Sequence, residues 1–281
     1  MTVTDAELST LASSHDIISI GAAADEARRA RHGARTTYVR VADVDAAPGA
    51  PVEVPATAGE LRIVGVPSSR AAAVQRVREV VAVAGTVPVS GFELADLEQL
   101  ASADAVPLRA LLEELKQAGL ELVAQAAFDR LRDARLAVEE VNIAGLGLAR
   151  LVLDQLPTAD VPALYGQVAA LQEAVGVIRA FAPLPRRTNA LVPTTGYDDV
   201  RRVALARLFL TNIPSIQVDW ALYGPKLAQV ALTVGADDLD GVTTSDEAPD
   251  GKRRAPLEEV RRNITAAALQ PAERDGRFDL R

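Results

Sequence analysis

No cysteine occurs in this chain of 281 residues. Cysteine thiolates act as nucleophiles, zinc ligands and iron–sulfur ligands, so disulfides, cysteine catalysis, cysteine-ligated zinc and a cysteine-bound iron–sulfur cluster are excluded. Histidine is also rare. The chain contains only His15 and His32, and both are predicted at helix ends. No Ser-His-Asp or histidine metal arrangement can be assembled from them. We therefore expect neither a resident metal nor a resident cofactor.

Aromatic residues, basic residues and long apolar runs are also scarce. Aromatic residues make up 4% of the chain, and 38 acidic residues outnumber 30 basic ones to give a formal charge of -8. An acidic chain binds a phosphate backbone poorly, so we expect no nucleic-acid partner. No apolar run approaches the ~18 residues of a membrane span. Since there is no signal peptide and no disulfide, a cytoplasmic location is expected.

The residues that are abundant predict one α/β domain. Apolar residues form 49% of the chain, and a core of Ala, Val, Leu and Ile is typical of helices packed on a buried parallel sheet. The length is close to the ~250 residues of one (β/α)8 barrel. We expect a single domain over residues 1–281. Helices are predicted in residues 1–33. In residues 243–281 we predict a mobile polar loop over 243–254, then a helix and a short charged tail.

Alternating strand and helix patterns predict a closed TIM-type barrel. Eight strands separated by helices favour closure over an open doubly wound sheet. The predicted strands cover residues 36–41, 60–66, 87–93, 120–126, 148–153, 177–181, 215–222 and 236–242.

The connection between the first two predicted strands departs from this pattern. Residues 42–59 contain three prolines and no helical period, so they predict an irregular loop and a barrel without its first outer helix. A missing helix leaves an apolar strand face uncovered. We expect the gap to be filled by the N-terminal helices, by the loop itself or by another chain.

Polar residues at the predicted carboxyl ends of the strands are the candidate ligand-binding residues, because barrel sites are built there. They are Glu93, Gln125, Asp154, Gln155, Asp219, Asp237, Asp238 and Asp240. Among them, Asp237, Asp238 and Asp240 offer oxygen ligands suited to magnesium or calcium. Their spacing matches no calcium loop, so capping of a strand end or a helix start is favoured over a metal site.

Asp219 and the pair Arg186 and Arg187 each have two alternative interpretations. Asp219 alternates with apolar neighbours in a predicted strand, so it contacts a ligand if it faces the barrel interior and is capped or paired if it faces outward. Arg186 and Arg187 follow the sixth predicted strand, where they either meet an anion at the barrel mouth or are solvated.

The most specific sequence signal lies in the last third of the chain. Its motifs are Gly196-Tyr197-Asp198-Asp199, Ala204-Leu205-Ala206-Arg207-Leu208, Asn212-Ile213-Pro214 and Gly235-Ala236-Asp237-Asp238-Leu239-Asp240-Gly241. Together with earlier segments in the same order, they resemble the radical S-adenosylmethionine enzymes that make aminofutalosine and dehypoxanthine futalosine in menaquinone synthesis, and the related deazaflavin (FO) synthases. Aminofutalosine synthase is the nearest subfamily. The resemblance implies a TIM-type barrel over most of the chain.

The sequence departs from that family where the chemistry is expected. The resemblance implies a C-x3-C-x2-C loop after the first strand, whose thiolates hold a [4Fe–4S] cluster that binds S-adenosylmethionine, but residues 42–59 contain no cysteine. The glycine pair implied after the second strand is replaced by Gly65-Val66-Pro67, and a Tyr-Gly-His after the fifth strand by Asp154-Gln155-Leu156. These departures put S-adenosylmethionine binding in doubt.

Two functional hypotheses follow from the resemblance and its departures. The first is a cluster-free, non-catalytic paralogue that acts as a binding protein, subunit or regulator, with a cluster-bearing homologue or another menaquinone-pathway enzyme as partner. The second is an aminofutalosine-synthase-like transferase that uses a partner's cluster or a different, cluster-free chemistry. Both allow an oligomer.

Overall fold

Eight parallel strands close into a barrel in the computed structural model, which describes residues 5–156, 160–187, 194–245 and 254–281. Each strand pairs with its neighbours in chain order, and β1 closes the ring by pairing with both β8 and β2. A ninth strand, β9, adds to β1. The predicted closed barrel is confirmed. The strands are β1 (Arg35–Asp45), β2 (Glu60–Val64), β3 (Val89–Glu93), β4 (Leu122–Ala127), β5 (Gly147–Leu153), β6 (Ile178–Pro185), β7 (Ser215–Asp219), β8 (Asp238–Thr243) and β9 (Gln270–Glu273).

Helices connect most of these strands, and several begin at side-chain caps that the sequence supplies. The clearest is the capping box of α8, in which Thr195 accepts from the Asp198 backbone N–H and Asp198 accepts from the Thr195 backbone N–H. No helix in the described parts of the chain is long and apolar enough to cross a membrane. The helices are α1 (Asp5–Ser13), α2 (Ile17–His32), α3 (Arg70–Ala84), α4 (Leu94–Ala103), α5 (Leu108–Gln117), α6 (Ala134–Ile143), α7 (Val161–Val175), α8 (Gly196–Phe209), α9 (Trp220–Leu232) and α10 (Leu257–Ala266).

The connection from β1 to β2 contains no helix, as predicted, and its loop fills the resulting gap. Val52 and Val54 of the loop pack against the hydrophobic core. The buried guanidinium of Arg76, on α3, donates to the Asp45 carbonyl at 2.7 Å and to the Ala50 carbonyl at 2.9 Å. The N-terminal helix α2 packs on α8 instead. Of the three expected ways to cover the gap, the structure uses the loop.

Several predicted strand boundaries differ from the observed ones by two to four residues, and two of these differences concern candidate site residues. The strand predicted over residues 215–222 ends at Asp219, because the Asp219 carboxylate accepts the Leu222 backbone N–H at 2.9 Å and starts α9. The strand predicted from residue 236 begins at Asp238. Asp237 and Asp238 therefore lie at the amino end of β8, away from the carboxyl ends where they were expected.

The end of the chain is structured rather than a charged tail. β9 runs parallel to β1 below β2 and places Arg274 at the amino end of the barrel, where its side chain is 2% exposed. The Gly276 backbone N–H donates to the Gly59 carbonyl at 2.9 Å and ties the following residues under β2. The last residues thus close the amino end of the barrel. Of the stretch predicted to be mobile, residues 246–253 lie outside the described part of the chain.

Candidate functional site

A cavity of about 340 Å³ opens at the carboxyl ends of the barrel strands, and we name it the mouth cavity. Its size is within the range of small-molecule sites, and its position is the one at which barrels build their sites. Apolar residues from β1, β2, β8 and the start of α9 form one part of its wall, and charged or amide side chains from the strands β3 to β7 and the loops after them form another. The principal lining residues are Val41, Asp43, Arg62, Ile63, Val66, Phe92, Glu93, Asp96, Gln125, Arg130, Arg150, Asp154, Arg186, Arg187, Asp219, Leu222 and Val242.

Below the mouth cavity, Arg62 is held between two carboxylates. Its Nε donates to Glu60 at 2.8 Å, and its Nη2 donates to Asp240 at 2.9 Å. Glu60 also accepts a hydrogen bond from the Ser90 hydroxyl. Burial raises the pKa of Glu60, but the charge and hydrogen bonds of Arg62, with the Ser90 hydroxyl, outweigh burial and lower that pKa to about 2. Glu60 is therefore ionised at neutral pH, and it shares Arg62 with Asp240.

Arg150 completes the interior ion-pair network, which we define as Glu60, Arg62, Arg150 and Asp240. Arg150 forms an ion pair with Asp240. Its Nη2 and Nε donate to the side-chain oxygen Oε1 of Gln125 at 3.0 Å and 3.2 Å. All four charged side chains are less than a tenth exposed. Two arginines and two carboxylates leave this network with no net charge, which is the condition under which buried charges are tolerated.

The remaining guanidiniums of the mouth cavity are each paired as well. Arg186 donates to Asp219 at 2.9 Å, which establishes that Asp219 faces inward. Burial raises the pKa of Asp219, but the charges of Arg186 and Arg150 outweigh it and hold that pKa below its usual value. Two rim pairs, Arg187–Asp154 at 3.2 Å and Arg130–Asp96 at 2.6 Å, complete the set. Arg186 and Arg187 thus line the mouth, and each faces a carboxylate of the chain itself.

Glu93 is the exception among the charged residues of the mouth cavity. It is 7% exposed, and its Oε1 accepts the Ala127 backbone N–H at 2.7 Å. Its other oxygen, Oε2, makes no hydrogen bond with any described residue. Burial raises the pKa of Glu93, and the hydrogen bond from the Ala127 N–H offsets this effect only in part.

The backbone next to Glu93 is strained. Phe92 has φ of 67°, a left-handed conformation that is a true outlier for a bulky residue. Regular alternation would place Ser90 and Phe92 on the inner face of β3 and Glu93 on the outer face. Ser90 does bond to Glu60 inside the barrel, yet both Phe92 and Glu93 line the mouth cavity. The unusual backbone at Phe92 therefore accompanies the inward position of Glu93.

The sequence-predicted site residues separate into three levels of the barrel. Glu93, Gln125, Asp154 and Asp219 come together at the mouth cavity, whereas Gln155 is not among its lining residues. Asp240 lies beneath it in the interior ion-pair network.

Asp237 and Asp238 lie at the opposite end of the barrel, so their expected placement is wrong. Asp237 is paired with Arg207 and accepts the Ile216 backbone N–H at 2.8 Å, while Asp238 is paired with Arg274. The three aspartates therefore do not converge on one point in the described structure, and Asp237 caps the start of β7 through the Ile216 backbone N–H. The described residues contain no group of three or more metal-ligand side chains.

Sequence reasoning missed the arginines Arg62, Arg130 and Arg150. A signal for one of them is visible, because Glu60 and Arg62 alternate with apolar residues in a strand that is otherwise buried. Their carboxylate partners are far away in the sequence, so the pairing itself is not visible there.

Solved structures with the same fold define the class of this barrel. Methylornithine synthase (PylB) matches with a TM-score of 0.70 at 13% identity, covering 97% of this chain and 95% of that one. The FeFe-hydrogenase maturase HydG from Carboxydothermus hydrogenoformans matches with a TM-score of 0.65 at 11% identity, covering 95% of this chain and 75% of that one. At these identities the match shows the fold alone, which is a TIM-type barrel.

Sequence comparisons place the chain more narrowly. The family model of the CofH/MqnC C-terminal region matches residues 182–281. Aminodeoxyfutalosine synthase of Thermus thermophilus is 29% identical over 227 residues, which are 68% of this chain and 60% of that protein. The 5-amino-6-(D-ribitylamino)uracil–L-tyrosine 4-hydroxyphenyl transferase of Archaeoglobus fulgidus is 35% identical over 126 residues, 40% of this chain and 36% of that protein. The resemblance is thereby confirmed: the chain is related to the radical S-adenosylmethionine enzymes of the menaquinone-pathway and FO-synthase type.

These matches cover less than two thirds of either relative, and the residues present here do not fit a thiolate-bound cluster. The whole sequence lacks cysteine. The loop after β1 is instead fastened to α3 by the two hydrogen bonds of Arg76. No step through an iron–sulfur cluster can therefore be assigned to residues of this chain.

Proposed function

We propose that this chain is a cluster-free member of its group that acts through binding, as a subunit or regulator of a cluster-bearing relative or of another menaquinone-pathway enzyme. The observation that carries the proposal is the interior ion-pair network. Beneath the mouth cavity, Asp240 accepts hydrogen bonds from Arg62 and forms an ion pair with Arg150, and Arg62 is shared with Glu60. The charges of the barrel interior are thus balanced by the chain's own residues.

A balanced interior supports binding over radical catalysis on physical grounds. A buried charge without a partner costs several kcal/mol, so a site evolved around a charged cofactor keeps side chains that need that cofactor. Here the buried guanidiniums have carboxylate partners within the chain. The absence of cysteine points in the same direction, because nothing in the sequence replaces the three thiolates that the family resemblance implies.

Iron and sulfide analysis tests the cluster-free part of the proposal. The purified chain and a cysteine-bearing relative are reconstituted anaerobically with iron and sulfide, desalted and assayed side by side. We expect a stoichiometric cluster in the relative and only background iron in this chain. A stoichiometric cluster in this chain would overturn the proposal and support the transferase hypothesis.

Co-purification tests the partner part. The tagged chain is expressed with an untagged cluster-bearing relative from the same cell, and the complex is sought by affinity capture followed by size-exclusion chromatography. We expect the two chains to elute together at a defined ratio. An unrelated TIM-barrel protein with the same tag is the control for non-specific capture. Elution of the two chains as separate species would count against a subunit role.

A further inference from the structure

Within the described residues, one carboxylate oxygen of Glu93 at the mouth cavity has no hydrogen-bond partner. Glu93 is 7% exposed, and its Oε2 makes no hydrogen bond within the described residues. A buried polar atom without a partner costs roughly as much free energy as a lost hydrogen bond and calls for an explanation. The left-handed backbone of Phe92, which precedes it, is a second cost at the same place. An unpartnered buried polar atom and a strained backbone at one cavity wall are typical of a ligand site.

The position of the Glu93 proton follows from the hydrogen bonds of its first oxygen. Oε1 accepts backbone N–H groups from Ala127 at 2.7 Å and from Ala95 at 3.5 Å, so that oxygen is occupied as an acceptor. When the carboxyl is protonated, the proton therefore resides on Oε2. Since Glu93 lines the mouth cavity, the protonated group presents an O–H donor to a bound molecule.

The other charges of the mouth cavity indicate that the bound molecule is uncharged. The five guanidiniums that line it are all engaged with carboxylates of the chain, namely Arg62 with Glu60 and Asp240, Arg150 with Asp240, Arg186 with Asp219, Arg187 with Asp154 and Arg130 with Asp96. An anionic ligand would have to break one of these pairs. A cationic ligand would likewise have to draw a carboxylate away from its arginine. The apolar residues Val41, Ile63 and Val242 offer a dry surface for the body of a neutral molecule.

We propose that the mouth cavity binds a small uncharged ligand with an apolar body and an amide or lactam carbonyl, which accepts a hydrogen bond from Oε2 of Glu93. The inference rests on the proposal that the chain acts by binding, and it specifies the ligand class. A cavity of about 340 Å³ accommodates a molecule of that kind. The carbonyl supplies the partner that Glu93 lacks.

Three fragments with the same ring and different head groups test the charge requirement. Benzamide is neutral with a carbonyl acceptor, benzoate is anionic and benzylammonium is cationic. Each is titrated into the intact chain at pH 5.0, and binding is followed by ligand-detected and protein-detected NMR. We expect benzamide to bind in the millimolar range of a fragment, with the other two at least tenfold weaker. Equal or tighter binding of either charged fragment would overturn the inference.

Substitutions of Glu93 test the hydrogen bond itself. In Glu93→Gln the side-chain amide places an acceptor at the position of Oε1 and an N–H donor at the position of Oε2, so this variant reproduces the protonated carboxyl. Glu93→Met removes both the acceptor and the donor at similar side-chain volume. We expect benzamide affinity to stay within about threefold in Glu93→Gln and to fall roughly tenfold in Glu93→Met, the effect of one net hydrogen bond. Glu113→Gln on α5, outside the mouth cavity, is the matched control. Circular dichroism confirms that each variant is folded.

The pH dependence provides a separate readout. In the wild-type chain, benzamide binding should weaken as pH rises and Glu93 ionises, while binding to Glu93→Gln should not change. The charged groups that face Glu93 are Arg130 with its partner Asp96, together with Asp154 and Arg150. Equal affinity of wild type, Glu93→Gln and Glu93→Met, or no benzamide binding at all, would refute this ligand class. Such a result would leave the subunit proposal standing, because co-purification tests that separately.

Discussion

Arg274 and Asp238 form a two-pronged ion pair at the closed end of the barrel. The Nε and Nη2 atoms of Arg274 each donate to one oxygen of Asp238, both at 2.7 Å, and neither side chain is more than 2% exposed. This geometry is the strongest that a guanidinium and a carboxylate adopt. The pair joins β8 to the residue that follows β9, so it fastens the end of the chain to the barrel.

Replacing Arg274 should therefore destabilise the whole fold. In Arg274→Met the buried Asp238 carboxylate keeps its bonds from Thr37 and Gln217 but loses its counter-charge. We expect the free energy of unfolding to fall by about 3–5 kcal/mol, measured by urea denaturation. The control is Arg277→Met, because Arg277 is exposed and its pair with Glu121 should be worth no more than ~1 kcal/mol. Equal effects of the two substitutions would contradict the structural role of Arg274.

The loop that replaces the first outer helix should depend on Arg76. Arg76→Met removes two charge-assisted hydrogen bonds to loop carbonyls, and we expect a loss of about 3 kcal/mol in unfolding free energy. Hydrogen exchange should also become faster at loop amides such as that of Gly49, which donates to Glu79 at 2.9 Å. Arg78→Met, an exposed change on the same helix, is the control. Unchanged exchange in Arg76→Met would show that the loop is held by other contacts.

Ionisation of Glu60 should make the free energy of unfolding depend on pH in the acidic range. Its pKa is about 2 in the folded chain, below the ordinary value of 4.5, so the folded state binds fewer protons than the unfolded state between those values. The contribution is complete above pH 4.5 and is lost as pH falls toward 2. It amounts to about 3 kcal/mol.

The substitution that tests this is Glu60→Gln, which cannot ionise. The variant should be less stable than the wild type at pH 7, and its stability should fall less between pH 4.5 and pH 2.5. Glu53→Gln, in the exposed part of the β1–β2 loop, should follow the wild-type profile. Parallel profiles for the wild type and Glu60→Gln would contradict the assignment.

Glu93 should have the opposite effect on stability. Its pKa is raised by burial, so the folded state binds more protons, and the stabilising contribution is complete at low pH and lost as pH rises through the folded pKa. Glu93→Gln keeps the bond from Ala127 and does not ionise. We expect it to match the wild type at pH 4 and to be more stable at pH 8 by about 1 kcal/mol. Thermal unfolding at the two pH values measures the difference, and a less stable variant at pH 8 would contradict it.

Local signals predicted most of the fold. Thr195 or Asp198, just before an apolar helical pattern, is typical of a helix start, and the structure uses the two together as a capping box. Boundary errors arose where two local patterns overlap. Trp220 and its neighbours continue the apolar alternation of β7, yet the carboxylate of Asp219 starts a helix at that point. Asp237 and Asp238 stand at the beginning of the predicted strand over residues 236–242 as well as of β8, so expecting them at the carboxyl ends of the strands was wrong whichever boundary is used.

The candidate site was only partly predictable because its energetics depend on partners distant in sequence. Arg62 and Asp240 are 178 residues apart, and no local pattern links them. Arg274 lies in a charged segment that is typical of a solvated tail, but its pair with Asp238 makes burial favourable. The inward turn of Glu93 depends on the backbone of Phe92, which propensity alone does not reveal.

The double engagement of Asp240 restricts how this barrel can evolve. Loss of Arg62 or Arg150 alone leaves a carboxylate underneutralised, and loss of Asp240 leaves two guanidiniums facing each other without the anion between them. Acceptable changes must therefore occur in correlated sets drawn from β2, β5 and β8. In related sequences these three positions should therefore covary as a unit.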